Sequence, residues 1–317
     1  MMENLKFAHY RRDLNEGFAY GDKVLTFREG IVLRAEFAGK VVYAEASPLP
    51  GHSLETIEEV ERALLKFNPK ADPAGLPASL RLGLAGLAAI AAAAPFRQPL
   101  FSNALLSWHG IEATRAAFVQ AKRRGYSHFK LKLLSSRLED QLRFLQEASD
   151  TESIFRLDAN ASLRPAEASR LFAALKTFRA DFIEYVEEPL VKSDWDHDVL
   201  DQSPVALAAD ESAADPATWK AEYAPAIAIV KPTVQGTLDG PSGRRVVYTS
   251  THEAEPGRRA LIALLGARGI AEPAGISTGY LFRENFLPDQ ARWVALPPVQ
   301  GNEQSWLDSL TWKDAKK

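Results

Sequence analysis

The chain has 317 residues, of which 46% are hydrophobic and 25% are charged, and its net charge at pH 7 is −3. This length suits a barrel of roughly 200 to 250 residues plus a smaller domain. The small net charge gives no field that favours nucleic acid or an anionic membrane, and the absence of cysteine excludes disulfides, thiolate metal sites and a cysteine nucleophile.

The N-terminal residues lack the apolar segment of a signal peptide, so we expect a cytoplasmic protein. The most apolar stretch, residues 82–96, falls short of the roughly 20 residues that span a bilayer. We interpret it as a buried, alanine-rich helix and expect no membrane partner.

The first part of the chain shows alternating apolar and polar residues between positions 24 and 43, which predicts antiparallel strands. Ser53 is a candidate N-cap for a following helix. Four apolar residues of that helix share one face: Ile57, Val60, Leu64 and Phe67. With the alanine-rich helix, these elements predict an α+β unit over residues 1–97, against which we expect the tail 292–317 to pack.

From residue 98 to about 291, predicted strands alternate with predicted helices. A candidate strand at 104–107 precedes a helix at 112–124, after which Gly125 is well placed as the C′ residue. Pro165 opens a later helix, where proline is tolerated in the first turn. The pattern weakens towards the end, with candidate strands at 246–250 and 274–278 and a helix at 259–267. This alternation is typical of a parallel barrel.

Charged residues stand where five of the predicted strands end, separated by 21 to 29 positions, which leaves room for one strand and one helix in each interval. In a parallel barrel, these strand ends open onto the same face. We therefore expect one cup with these side chains: Lys132, Asp158, Glu187, Asp210 and Lys231.

Lys130 and Lys132 lie two positions apart and point to the same side of a strand, into the barrel if Leu131 and Leu133 point outwards. Mutual repulsion would lower the pKa of at least one lysine towards that of a usable base. Taken alone, such a pair is more typical of a solvated edge strand. Lys231, placed across a barrel from Lys132, would complete either an acid–base pair or a base with a cationic stabiliser, although a lysine before a proline also occurs in simple turns.

The three acids, Asp158, Glu187 and Asp210, are hard oxygen ligands that suit Mg2+. Such an ion would hold a substrate carboxylate and stabilise the charge formed when an α-proton is removed. Each acid taken alone is better explained as a helix cap or surface residue, and it is their shared order and spacing that favour a common site. The six histidines have no metal-ligand spacing, and we expect most of them on the surface or in the core. No nucleotide-binding glycine motif is present.

In this order and spacing, the lysines and acids resemble the enolase superfamily, particularly its muconate-lactonising-like branch. The resemblance implies a modified (β/α)7β TIM-type barrel at 98–291 with an N-terminal α+β capping domain at 1–97. The segment 46–56, with its Ser-Pro-Leu-Pro-Gly run, resembles the o-succinylbenzoate synthase family. That family dehydrates 2-succinyl-6-hydroxy-2,4-cyclohexadiene-1-carboxylate to o-succinylbenzoate in menaquinone biosynthesis.

The resemblance implies that Asp158, Glu187 and Asp210 bind Mg2+, that Lys132 is the base that returns its proton to the departing hydroxyl, and that Lys231 stabilises the enediolate. It also implies a small-molecule carboxylate substrate, a monomer or weak homo-oligomer, and a mobile cap loop at 16–27. The substrate contacts implied by the resemblance are Lys130, Arg156, Asn160, Ser250 and Thr251.

One departure concerns residues 249–257: the serine-rich strand end of the family reads Thr-Ser-Thr-His-Glu here, and the glycine expected shortly afterwards is replaced by Ala-Glu-Pro-Gly. Two alternatives stay open. An N-acylamino acid racemase or dipeptide epimerase would use Lys132 and Lys231 as opposed bases, although the 46–56 segment argues against it. A catalytically silent barrel would not need the intact lysines and acids.

Overall fold

The protein, represented by a computed structural model, is described for residues 2–20, 23–190, 197–214 and 226–315. Its first three strands are β1 (Met2–Tyr20), β2 (Lys23–Phe37) and β3 (Lys40–Ala46), which form antiparallel pairs in that order. The predicted cap loop at 16–27 is instead the end of the β1–β2 hairpin, with Ala19 paired to Val24, and its positions 21–22 lie outside the described residues. Continued backbone pairing extends the two strands further than their side-chain alternation indicated.

Two helices follow, α1 (Ile57–Leu65) and α2 (Ala78–Ala91). The N-cap of α1 is Thr56, not Ser53 as predicted. Thr56 Oγ1 accepts from Glu59 N at 3.3 Å, and Glu59 accepts from Thr56 N at 2.9 Å, a capping box. Ser53 Oγ instead accepts from Leu49 N at 2.9 Å, which closes the preceding turn. The prediction missed the glutamate three positions after Thr56.

Eight parallel strands then form the barrel: from β4 to β10 each strand pairs with the next in chain order, and β11 returns to pair with β4. Between β10 and β11 the contact is an isolated bridge, Thr249 with Gly275, so the barrel is nearly closed. The predicted fold class is confirmed. The strands are β4 (Leu100–Leu106), β5 (His128–Lys132), β6 (Ile154–Asp158), β7 (Ile183–Glu187), β8 (Ala206–Ala209), β9 (Ile227–Val230), β10 (Arg245–Tyr248) and β11 (Ala274–Ser277).

The barrel helices lie between successive strands. Gly125 follows α3 with φ of +87°, as expected for a C′ glycine, and Pro165 is the first residue of α5. The connection from β8 to β9 includes residues 215–225, outside the described residues. The helices are α3 (Ile111–Arg123), α4 (Leu138–Ala148), α5 (Pro165–Leu175), α6 (His197–Leu200), α7 (Pro232–Gln235) and α8 (Glu255–Arg268).

An aromatic core between strands and helices fixes the half of the barrel that carries the predicted lysine pair. The rings of Phe129 and Phe155 stack at 5.4 Å between neighbouring strands, and Phe118 of α3 meets Phe129 edge-on at 4.8 Å. Such pairs add stability beyond the burial of their area. Because these rings point outwards, the alternate residues of β5 and β6 face the barrel interior.

The C-terminal residues form β12 (Arg292–Trp293), α9 (Asn302–Asp308) and β13 (Lys313–Asp314). β13 pairs with β1, and the ring of Trp306 meets Tyr10 edge-on at 5.9 Å, whereas β12 pairs with β4 of the barrel. The domain boundary near residue 97 stays a prediction. In the described part of the chain, no helix is long and apolar enough to cross a membrane.

Candidate active site

The carboxyl ends of β5, β6 and β7 bring three charged residues into one row. The strand register pairs Lys132 with Asp158, and Asp158 with Glu187. Neighbouring strands lie about 4.8 Å apart, so these side chains are immediate neighbours. β7 pairs Glu187 with Ala208, which places Asp210 two positions further along the next strand on the same side.

Lys130 and Lys132 face the interior, while Leu131 and Leu133 pack in the outer core. The Lys130 ammonium lies 2.9 Å from Asp158 and 2.8 Å from Glu187. Burial alone would lower the pKa of Lys130, but these two carboxylates outweigh it and raise the pKa well above its usual value. Lys130 therefore keeps its positive charge.

Lys132 has a different electrostatic environment from Lys130. Burial lowers its pKa most strongly; Asp158 opposes this shift, the neighbouring charge of Lys130 adds to it, and the pKa stays below its usual value. An amine whose pKa is lowered releases and accepts a proton closer to neutral pH. Of the two interior lysines, Lys132 therefore has the environment of a base.

Lys231 follows β9, four strands round the barrel from β5 and thus on the opposite wall. Its Nζ lies 2.6 Å from each carboxylate oxygen of Asp210. Burial would lower the pKa of Lys231, but Asp210 and then Glu211 raise it above its usual value. The site thus places Lys132, whose pKa is lowered, opposite Lys231, whose raised pKa keeps it protonated.

The described residues contain no group of three His, Asp or Glu side chains gathered around one point as a formed metal site. Instead, Lys130 bridges Asp158 and Glu187, and Lys231 pairs with Asp210. The donor set nevertheless fits Mg2+. Burial, then repulsion from Asp158, raises the pKa of Glu187 well above its usual value, and Glu187 Oε2 is buried with no hydrogen-bond partner in the described structure. Closely spaced carboxylate oxygens in this state suit a hard divalent cation.

Backbone strain concentrates at this end of the barrel. Four of the described residues in the loops after barrel strands have left-handed φ values without being glycine: Asn160 at +45°, Ala161 at +53°, Glu188 at +39° and His252 at +61°. Such conformations persist only where the surrounding structure enforces them, and they cluster at functional sites.

Glu188, which the sequence did not single out, holds the strand end that carries Asp210. One oxygen of its buried carboxylate accepts from Asp210 N and Ser212 N, each at 2.9 Å, and from the Ser212 hydroxyl. This fixes the backbone that aims Asp210 into the site. Only the three-dimensional pairing of the two loops reveals this role.

The predicted substrate contacts are not all brought together. Asn160 is exposed at the rim, where its N donates to Asp158 Oδ1 at 2.9 Å. Ser250 and Thr251 are buried in the loop after β10. The Ser250 hydroxyl lies 3.0 Å from that of Thr278, and the Thr251 hydroxyl donates to Glu253 at 2.6 Å.

Arg156 lies deeper than the sequence suggested. It is fully buried, and its guanidinium donates to Glu184 at 2.5 Å and to Pro273 O at 2.7 Å. Glu184 is the second residue of β7 and Pro273 immediately precedes β11, so these partners lie at the amino ends of the strands. The structure does not bring Arg156 to the carboxyl-end cup.

Two histidines that the sequence gave no special role lie beside the lysines. Burial, and then the charge of Lys231, lowers the pKa of His52 to about 4. Burial, and then the charge of Arg28, lowers the pKa of His252 well below its usual value. Both imidazoles are therefore neutral near pH 7. Through His52, the 46–56 segment lies close to Lys231, Asp210 and Lys132 at the opening of the cup.

Comparison with known proteins places this geometry in a family. Residues 113–237 match the family model described as "Enolase C-terminal domain-like". Over 281 residues, the chain is 31% identical to the o-succinylbenzoate synthase of Thermosynechococcus vestitus, covering 81% of this chain and 86% of the relative. The chain belongs to the o-succinylbenzoate synthase family of the enolase superfamily.

Solved structures agree with this membership. The o-succinylbenzoate synthase of Thermosynechococcus elongatus, crystallised with Mg in its active site, superposes with a TM-score of 0.71 at 28% identity, over 90% of this chain and 96% of that chain. A dipeptide epimerase of Cytophaga hutchinsonii has a TM-score of 0.73 at 16% identity, over 98% and 99% of the two chains, which shows a shared fold alone. The family relationship therefore rests on the o-succinylbenzoate synthases.

Proposed function

We propose that this enzyme is an Mg2+-dependent o-succinylbenzoate synthase that dehydrates 2-succinyl-6-hydroxy-2,4-cyclohexadiene-1-carboxylate. The observation that carries the proposal is the placement of Lys132 and Lys231 on opposite walls of a cup that also holds Asp158, Glu187 and Asp210, in a member of this family. A syn dehydration needs one residue that moves a proton and one that keeps its charge.

Asp158, Glu187 and Asp210 would hold Mg2+, since they are adjacent, buried and oxygen-only. When bound, the ion supplies a positive charge that anchors the substrate carboxylate and stabilises the negative charge developing there. Lys130, between Asp158 and Glu187, adds a permanent charge below that position. Glu188 holds the Asp210 backbone in place.

Lys132 Nζ accepts the α-proton, and the electrons of the broken C–H bond form the enediolate. The C–O bond to the ring hydroxyl then breaks, the ammonium of Lys132 returns its proton to the departing oxygen, and water leaves as the ring becomes aromatic. Because both proton transfers occur on one face, a single residue suffices. Lys231, charged and opposite, stabilises the enediolate.

Ser250 and Thr251 stand in the loop after β10, and to bind the succinyl carboxylate their hydroxyls would turn away from Thr278 and Glu253, their present partners. Asn160 lies at the rim. We assign Arg156 a supporting role inside the barrel, because its partners lie at the opposite end. We further propose a cytoplasmic enzyme that works as a monomer or weak homo-oligomer, with a capping domain at 1–97 and a barrel at 98–291.

The Lys231→Arg variant separates dehydration from racemisation. Arginine keeps the positive charge but does not act as a base near neutral pH. We expect the variant to retain measurable dehydration, reduced by roughly 10-fold or less, because only an electrostatic role is altered. Racemisation of N-acylamino acids, followed by circular dichroism, needs two bases and should be absent. Racemase activity that survives in Lys231→Arg would count against these roles.

The pH dependence of kcat should report Lys132 as a base. Its neutral form is the active one, and burial with the charge of Lys130 lowers its pKa below the usual value of 10.5. We therefore expect kcat to rise with pH and to level off below pH 10.5. Stopped-flow turnover between pH 6 and pH 10 measures this; a kcat that falls throughout this range would contradict the assignment.

A further inference from the structure

Arg28 of β2 joins the N-terminal sheet to two segments beside the proposed site. Its side chain is 2% exposed, and its guanidinium donates to Ser47 O and Pro48 O, each at 3.1 Å, and to His252 O at 3.2 Å. The first two carbonyls begin the 46–56 segment, and the third belongs to the loop after β10. A single side chain therefore holds three parts of the chain together.

The loop contact falls at a strained position. His252 is half-buried and has a φ of +61°, a left-handed value that residues other than glycine adopt infrequently. Its carbonyl points to Arg28, while the two preceding residues, Ser250 and Thr251, carry the hydroxyls proposed to bind the succinyl group. The planar fork of an arginine fixes the direction of the carbonyls that it binds. Arg28 thus sets the backbone from which these hydroxyls extend.

A second connection crosses the same interface a short distance away. Glu45 of β3 accepts from Tyr10 at 2.5 Å and from Gly257 N at 3.1 Å. Gly257 lies in the first turn of α8, which has no side-chain cap of its own. A Cβ on residue 257 would lie 2.8 Å from Glu45 Oε2. Glycine at this position therefore allows the Glu45 carboxylate to reach the backbone N–H of residue 257. The N-terminal sheet therefore holds the 249–257 segment at two points, His252 and Gly257.

We propose that Arg28 is a positioning residue that sets the 249–254 loop against the 46–56 segment and so determines binding of the succinyl end of the ligand. The binding part of this inference rests on the proposed function, whereas the ordering of the loop does not. Arg28 acts through backbone carbonyls and does not touch the reacting atoms. By holding the His252 carbonyl, Arg28 sets the direction in which the adjacent Ser250 and Thr251 present their hydroxyls.

The test compares Arg28→Lys with the matched control Arg259→Lys. Arg259 is also buried and also binds two consecutive backbone carbonyls, those of Pro297 and Pro298, but these lie in the C-terminal tail. Lysine keeps the charge but lacks the fork that reaches three carbonyls. If Arg28→Lys does not yield folded protein, Arg28→Gln serves, since its amide retains two donors.

Two readouts are taken on the Mg2+-loaded full-length protein: amide hydrogen exchange of residues 249–254, and calorimetric binding of o-succinylbenzoate. We expect Arg28→Lys to speed exchange at 249–254 by at least tenfold and to weaken product binding about tenfold, with Mg2+ affinity within twofold of the unsubstituted protein. Arg259→Lys should change neither exchange at 249–254 nor product binding.

Unchanged exchange at 249–254 in Arg28→Lys would overturn the inference, and so would faster exchange with undiminished product binding. An equal effect in Arg259→Lys would also overturn it, since the response would then be general destabilisation. If the unsubstituted protein binds no o-succinylbenzoate, the proposed function fails, and the exchange readout alone decides whether Arg28 orders the loop.

Discussion

Replacing Lys132 by alanine is expected to lower kcat for the cyclohexadiene substrate by roughly 10²–10⁴-fold, the usual contribution of a general acid–base residue. The lysine next to it on the strand, Lys130, cannot substitute, because Asp158 and Glu187 raise its pKa and keep it charged. Mg2+ affinity, measured by calorimetry, should change little, since no carboxylate is removed. Turnover is followed by the loss of the ultraviolet absorbance of the substrate.

Lys132→Arg is the matched control for charge. It keeps a cation at the same strand position but removes a side chain that can give up its proton near neutral pH. We expect it to be as impaired as Lys132→Ala, which would show that proton transfer and not charge is lost. A kcat above a tenth of the normal value in either variant would remove Lys132 from the proposed mechanism.

The Glu187→Gln variant is expected to lose Mg2+ binding and turnover together. Glu187 is fully buried between the other two acids, and repulsion by Asp158 contributes to its raised pKa. Removing its charge takes away the central oxygen donor of the proposed set. We expect Mg2+ affinity to fall by at least about 100-fold, beyond the effect of losing an outer partner of a ligand. Turnover should fall by roughly 10³-fold at fixed Mg2+.

Glu184→Gln provides the control on the same strand. Its carboxylate pairs with Arg156 and Arg245 at the amino ends of the strands. This substitution should lower thermal stability, because it weakens a buried ion pair, yet leave Mg2+ affinity unchanged. Normal Mg2+ binding in Glu187→Gln, or its loss in Glu184→Gln, would contradict the proposed ligand set.

Local patterns in the sequence were sufficient to predict the barrel and its row of charged strand ends. In β5, lysine and apolar residues alternate, and its register places Lys132 beside Asp158. The spacing of the predicted strand ends indicated this neighbourhood. The strand period of two fixes which side chains share a face, and barrel topology then brings successive strand ends together. These are properties of short segments and their order.

Residues that depend on distant contacts were not predictable in this way. Arg28, Glu188 and His252 acquire their surroundings from loops and sheets far away in the chain. Arg156 was predicted at the site from resemblance, but its depth follows from its place two residues before Asp158, one layer further into the barrel. The extension of the β1–β2 hairpin through residues 16–27 likewise depends on pairing between the two strands. The alternation of apolar and polar residues within one strand does not reveal this pairing.

Mg2+-dependent dehydration by this barrel can be measured directly. The experiment follows turnover of 2-succinyl-6-hydroxy-2,4-cyclohexadiene-1-carboxylate with added Mg2+ and after chelation with EDTA. We expect steady loss of substrate absorbance with Mg2+, formation of o-succinylbenzoate, and no turnover after chelation. Turnover at the same rate after chelation would contradict the role of the acids. No turnover in a protein that still binds Mg2+ would contradict the proposed reaction.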